Sequence, residues 1–481
     1  MAVLSGIEPK EVFKYFEEIC AIPHGSGNTK QISDYCVEFA KERGLRCIQD
    51  SSNNVIIFKD GTAGYEQSAP VMLQGHLDMV CEKTPDCTID FEKDGLSLMV
   101  EDGIITADGT TLGGDDGIAV AMGLAILDSS DIPHPPLEVV LTVDEEIGML
   151  GAADLDCSPL KSRTMLNLDS EDEGVLLVSC AGGVTATCRL PISRETSIGT
   201  ALLMKISGLT GGHSGVEIDK ERANANQLLG RALDELDKKI NIDLISVAGG
   251  KKDNAIPTMA AAEILVDDED VQTAIEFAKE WNEIFRAEYR ASDPGLLFEI
   301  EETEESALPL IPPIKEKVIF ALRNLPGGIQ RMSLDIPGLV QTSLNMGILE
   351  TKLDEIVMSF AVRSSVGSEK DELVSRLNSM MRLLGGTVEL MGDYPAWEYM
   401  TDSKLRVLMI DVFKEQYGKE PEIQAIHAGV ECGLFAGKMP GLDCVSMGPD
   451  MKDIHTPNEC MSIDSVQRTW KFVLEVLKRL K

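Results

Sequence analysis

Asp144, Glu145 and Glu146 stand in a row at the end of a strand-forming run, Leu137 to Val143. Adjacent acids repel, so a folded chain keeps three together either in open solvent or against something cationic. A bound divalent metal is such a partner, with one Glu as ligand and its neighbour free as a general base. The plain alternative is a solvated loop after a strand. Other residues of ligand type occupy the same kind of place. His76 and Asp78 follow a predicted strand at 71–74, Asp169 follows one at 164–168, and His455 lies in the loop after one at 443–447. Asp115 precedes a predicted helix, where free amides and the dipole favour an acid. Two imidazoles with several carboxylates and no thiolate suit a borderline-soft divalent ion. A pair of ions about 3.5 Å apart needs a bridging carboxylate, and Asp115 can be that bridge. In His76-Leu-Asp78 the acid is near enough to fix the imidazole tautomer. Gly113-Gly-Asp-Asp-Gly117 also reads as a turn with a helix cap, with Asp116 as the cap.

Residues so far apart in sequence meet only if an open sheet brings its strand ends to one crevice. The periodicity predicts a helix over 9–20 and a second capped by Asn28. Strands follow at 54–59 and 71–74, a hairpin over 96–106 turning at Glu101-Asp-Gly103, a helix over 116–127, then strands at 137–143 and 164–168. This alternation implies a mostly parallel α/β sheet. After Cys180-Ala-Gly-Gly183 the character changes. Strands near 184–190, 201–207, 244–248, 260–266, 296–301, 340–349, 355–362 and 386–390 alternate with helices over 220–236, 271–289, 314–325 and 368–384. The first pattern returns after Tyr394-Pro395, with a helix over 402–417, a strand over 443–447 and a final amphipathic helix. The expected architecture is an α/β catalytic domain, 1–183 and 394–481, split by an inserted α+β domain, 184–393. A cleft between two such domains is where a small substrate would bind.

A chain of 481 residues exceeds one ordinary core, which agrees with that division. The formal charge of −36 excludes nucleic acid as a partner, since phosphate binding needs the opposite sign. No apolar stretch is long enough to span a membrane, and MAVLSGIEPKEVF has no basic n-region or apolar h-region. The 11 cysteines are scattered without metal-knuckle or redox spacing, as expected of reduced thiols in a cytoplasm. His24 is expected to shape a turn, and His134, between prolines, to lie in a surface connection.

The segments GHLDMV (75–80), LGGDDG (112–117), TVDEEIGMLGA (142–152), NLDSEDEG (167–174), GLTGGHSG (208–215) and GPDMKDIHTPNE (448–459) occur in order along the chain. Together they resemble the co-catalytic zinc peptidase family that includes carboxypeptidase G, carnosinase, peptidase T and acetylornithine deacetylase. GHLDMVCEK, HPPLEVVLTVDEE and AIHAGVECG (425–433) resemble its aminoacyl-histidine dipeptidase branch most. The resemblance implies two Zn2+, replaceable by Mn2+ or Co2+. His76 and Asp169 would hold one ion, Glu146 and His455 the other, with Asp115 bridging. It implies Glu145 as general base, Asp78 as the partner of His76, and the inserted domain as a lid whose His213 polarises the scissile carbonyl. Asn254 and Arg363 would bind the substrate carboxylate, and His427 and Glu431 would lie near the site. The implied activity is hydrolysis of Xaa-His dipeptides in the cytoplasm, with a homodimer as the possible assembly. An N-acyl-amino-acid amidohydrolase or a broad di/tripeptidase is the alternative. Asp116 departs from the Asn often found there in this branch.

Overall fold

The computed structural model describes residues 3–304 and 306–481. Two compact units divide the chain, one of 1–180, 399–425 and 430–481, the other of 181–398 and 426–429.

The first unit is built on an eight-stranded sheet in the order Arg46–Gln49, Val55–Lys59, Leu137–Thr142, Val71–His76, Thr164–Asn167, Asp443–Ser446, Val175–Cys180 and Glu422–Ile426. Its middle four strands are parallel, and antiparallel pairs flank them. Every residue of Val71–His76 and Leu137–Thr142 is buried, as parallel strands covered on both faces require. The helix Gly114–Asp128 is buried around its whole circumference from Gly117 to Leu127, so it is a core helix and not an amphipathic one. It packs on Val71–His76 and on the first helix, Lys10–Cys20. The second helix is Lys30–Glu42, entered through Thr29; Asn28, the expected cap, lies one residue outside, its amide bonding the Gly25 carbonyl. A small sheet of Met451–Lys452, Cys460–Ser462, Ile104–Ala107 and Leu98–Glu101 ties the loop carrying His455 to the expected hairpin.

The second unit carries an antiparallel nine-stranded sheet and, among the described residues, the α-helices Ala225–Asp237, Val271–Glu288, Pro312–Asn324 and Gly367–Leu384. Its first helix starts later than its apolar stripe suggests. Ile218–Lys220 is a separate single turn, and Asn224 caps the helix by accepting from the amides of Asn226 and Gln227. His134 is fully buried and not in a surface connection. Its Nδ1 lies 2.7 Å from the Pro135 carbonyl, which the flanking prolines bring within reach.

Candidate active site in the first unit

Parallel pairing of Val71–His76 with Leu137–Thr142 and Thr164–Asn167 puts the last residue of each strand and those just after it at one edge of the sheet. His76 is there, with its side chain 1% exposed. Its Nδ1 lies 2.9 Å from the Asp78 carbonyl and 3.5 Å from Asp78 Oδ1, so the contact expected to fix the tautomer runs mainly through the backbone. With Nδ1 against that carbonyl, Nε2 is the ring nitrogen left to face outward. Nε2 is 3.1 Å from Asp115 Oδ1 and 3.9 Å from Asp169 Oδ1. The other oxygen of Asp115 is 3.3 Å from His455 Nε2, which is 2.9 Å from Glu146 Oε1. Asp115 therefore turns one oxygen toward each imidazole.

The Asp78 carboxylate holds the acidic turn. It accepts from the amides of Glu145 at 3.1 Å and Glu146 at 3.4 Å, and from Ser26 Oγ at 2.8 Å. Asp144, the third acid, accepts from the Gly27 amide at 2.7 Å. Both Asp78 and Asp144 are thus pinned by the His24–Asn28 loop, which leaves Glu145 and Glu146 to face the cluster. Asp116 is not the helix cap. It is fully buried, its Oδ2 accepts from the His76 amide at 3.1 Å, and the chain enters the helix through Gly113 at φ +65°. A Cβ on Gly75 would lie 2.4 Å from that oxygen, so only glycine lets Asp116 reach the strand.

The donors fit a divalent metal. Ligand atoms of Asp115, Glu146 and His455 lie within 4.8 Å of one another, as do those of His76 with Asp116 and Asp169, and of His76 with Glu145 and Glu146. Glu146 Oε1 is buried without a hydrogen-bond partner although His455 Nε2 is close by, the geometry of two atoms that face a shared point. The charges agree. Burial, with Glu431, Glu146 and Asp115 outweighing His76, pushes the Glu145 carboxyl up to about 8. Burial likewise pushes Asp169 and Asp116 up. The carboxylates of Asp115 and Glu146 hold the His455 imidazole up at about 10.

Glu431, which the sequence left without a role, is fully buried at the start of the helix Glu431–Lys438. It accepts from Gln74 Nε2 at 2.5 Å and Thr142 Oγ1 at 2.7 Å, and Gln74 accepts in turn from Asn167. Each of these strand residues precedes the acidic turn or a ligand-type residue by a position or two. Burial pushes Glu431 up to about 7.

A pH dependence follows for protein stripped by chelation. Glu145, Glu431 and His455 all bind protons more tightly folded than unfolded, so they stabilise below their unfolded values and that contribution is lost as pH rises through the folded ones. His427 and His213, held low, act oppositely but only below about pH 6.5, the unperturbed histidine value. The thermal midpoint of the stripped protein should therefore fall from pH 6.5 to 8.5. A midpoint that rises across this window would contradict the charge balance described.

His213, Asn254 and Arg363 belong to the second unit. His213 ends the two-residue strand Gly212–His213, paired with Ala255–Ile256. Its Nδ1 accepts from the amides of Gly215 and Val216 at 3.2 Å, so the proton resides on Nε2 and the ring is a donor. Burial and the Arg363 charge hold its pKa low. Arg363 donates to Tyr394 Oη at 3.0 Å, has its Nε buried without a partner, and makes no ion pair among the described residues. Asn254 is exposed, and its carbonyl accepts from the Ser214 amide. His427 Nε2 is 2.7 Å from Ser343 Oγ.

Convergent imidazoles and carboxylates at the end of a parallel sheet are a donor set for divalent metal. The profile of Peptidase family M20/M25/M40 matches residues 72–479. The chain belongs to this family and is a metallopeptidase. It is 37% identical over 482 residues to the cytosol non-specific dipeptidase of Escherichia coli K12, covering 100% of this chain and 99% of that protein. The structure of the aminoacylhistidine dipeptidase from Vibrio alginolyticus is similar at TM-score 0.94 and 36% identity, covering 99% of this chain and 97% of that one. Aminopeptidase PepT from Bacillus cereus, at TM-score 0.57 and 15% identity over 98% of this chain and 99% of that one, shares the fold. Among the described residues no helix is long and apolar enough to cross a membrane.

Proposed function

We propose that the chain hydrolyses dipeptides, Xaa-His dipeptides among them, with His76 and Asp169 holding one Zn2+, Glu146 and His455 a second, and Asp115 bridging. The observation that carries this reading is the division of labour in the acidic turn. Glu146 Oε1 faces His455 Nε2, while the neighbouring Glu145 is held beside it by the same backbone clamp. When bound, the ions would lower the pKa of a shared water toward 7 and polarise the scissile carbonyl, as Mn2+ or Co2+ would in their place. Glu145 takes the proton of that water as its carboxylate and returns it to the departing amine. Asp78 keeps the turn fixed meanwhile through the two amides it accepts from. His213 donates from Nε2 to the developing oxyanion. Arg363, steadied by Tyr394, and Asn254 take the substrate carboxylate, which restricts the enzyme to short peptides. Residues 1–183 and 394–481 are the catalytic domain in this reading and 184–393 its lid, in a cytoplasmic enzyme. A homodimer is supported by Thr387–Tyr394, an exposed strand at the end of its sheet.

The test is a substrate panel. β-Alanyl-histidine and Gly-His should be hydrolysed much faster than N-acetyl amino acids. Arg363→Ala should raise KM about 10- to 100-fold, the loss of a charge-assisted bond of about 1.5–3 kcal/mol. Faster turnover of N-acetyl amino acids would assign the chain to acyl-amino-acid hydrolysis instead.

A further inference from the structure

One carboxylate close to the cluster has no part in the chemistry above. Glu459 is 3% exposed and has no cationic partner among the described residues. Its Oε2 accepts from the amides of Leu112 at 2.8 Å and Gly113 at 3.2 Å, its Oε1 from those of Gly114 at 2.8 Å and Asp115 at 3.4 Å. Four successive N–H groups converge because Gly113 adopts φ +65° at the mouth of the helix Gly114–Asp128, the concave arrangement that cradles an anion. The anion here comes from the chain itself.

Glu459 also lies four residues after His455, in a loop closed by pairing of Lys452 with Cys460. Inside that loop Thr456 Oγ1 donates to the Asp453 carbonyl at 2.7 Å, and the Glu459 amide donates to the Thr456 carbonyl at 3.1 Å. His455 is at its tip with φ +60°. Both oxygens of Asp115 face imidazoles, and among the described residues its carboxylate has no other hydrogen bond; its backbone is located from elsewhere.

We propose that Glu459 is a positioning residue for the metal centre, fixing the loop that presents Asp115 and tying it to the loop that presents His455. The proposal rests on the reading of Asp115 and His455 as metal ligands. A glutamine at 459 would keep the shape but turn an NH2 group toward two of the four amides, donor against donor. An aspartate would be a methylene too short to span both pairs.

Zinc affinity, measured by chelator competition on folded protein, tests this. Glu459→Gln should weaken Zn2+ binding about 10- to 100-fold, the usual effect of disturbing groups that orient ligands. Excess zinc should restore most of kcat, with KM unchanged. Should that variant fail to fold, Glu459→Asp carries the same expectation. Asp115→Ala is the control. If it binds zinc like wild type, the ligand reading itself fails. If it loses zinc while the Glu459 variant binds zinc like wild type and only melts lower, Glu459 is structural and the proposal is wrong.

Discussion

Glu145→Ala should bind as much metal as wild type and lose about 10²- to 10⁴-fold in kcat, the contribution general acid–base catalysis makes. Metal should stay because the turn is held without the Glu145 side chain: the amides of Glu145 and Glu146 bond to Asp78, and Glu146 reaches His455 on its own. Turnover should go because Glu145 is the carboxyl the proposed mechanism gives the proton of the water. Glu146 faces His455, and Glu431 is held by Gln74 and Thr142 through Oε2. Glu145 is itself within ligand reach of His76, so the metal measurement matters as much as the rate. Loss of metal together with activity would make Glu145 a ligand. Near wild-type turnover would remove it from the mechanism.

Exhaustive chelation should abolish hydrolysis, and added zinc should restore it with a break at about two equivalents per chain. Manganese or cobalt should restore it to a different level, since a donor set of imidazole and carboxylate accepts each of them. The expected loss is at least about 10³-fold, because unassisted water has a pKa of 15.7 against about 7 beside zinc, and Glu145 cannot cover that gap alone. Restoration complete at one equivalent would mean that Asp115 serves a single ion. Activity unchanged in protein shown to be metal-free would overturn the proposed chemistry.

Much of this arrangement is legible before any coordinates. A buried strand with a histidine or acid at its end or within a few residues after it is a local pattern, and His76, Glu145, Glu146 and Asp169 all fit it. Their meeting is then a matter of parallel pairing, which alternation of strands and helices implies. What stays hidden depends on contacts made across the chain. Asp116 looks like a helix cap until Gly75 is seen to leave room for it against the His76 amide. Glu459 sits in a recognisable motif, yet its partners are amides more than 340 positions away and carry no side-chain signal. His134 reads as surface from its prolines but is buried by the packing around it. Met451–Lys452 and Cys460–Ser462 are too short to show any periodicity, although they close the His455 loop.

Diffraction at the zinc absorption edge from crystals of zinc-loaded protein tests the centre most directly. Two anomalous peaks should flank Asp115, one about 2.0–2.2 Å from donor atoms of His76 and Asp169, the other equally close to Glu146 and His455. Zinc found only outside the reach of these five side chains would contradict the account.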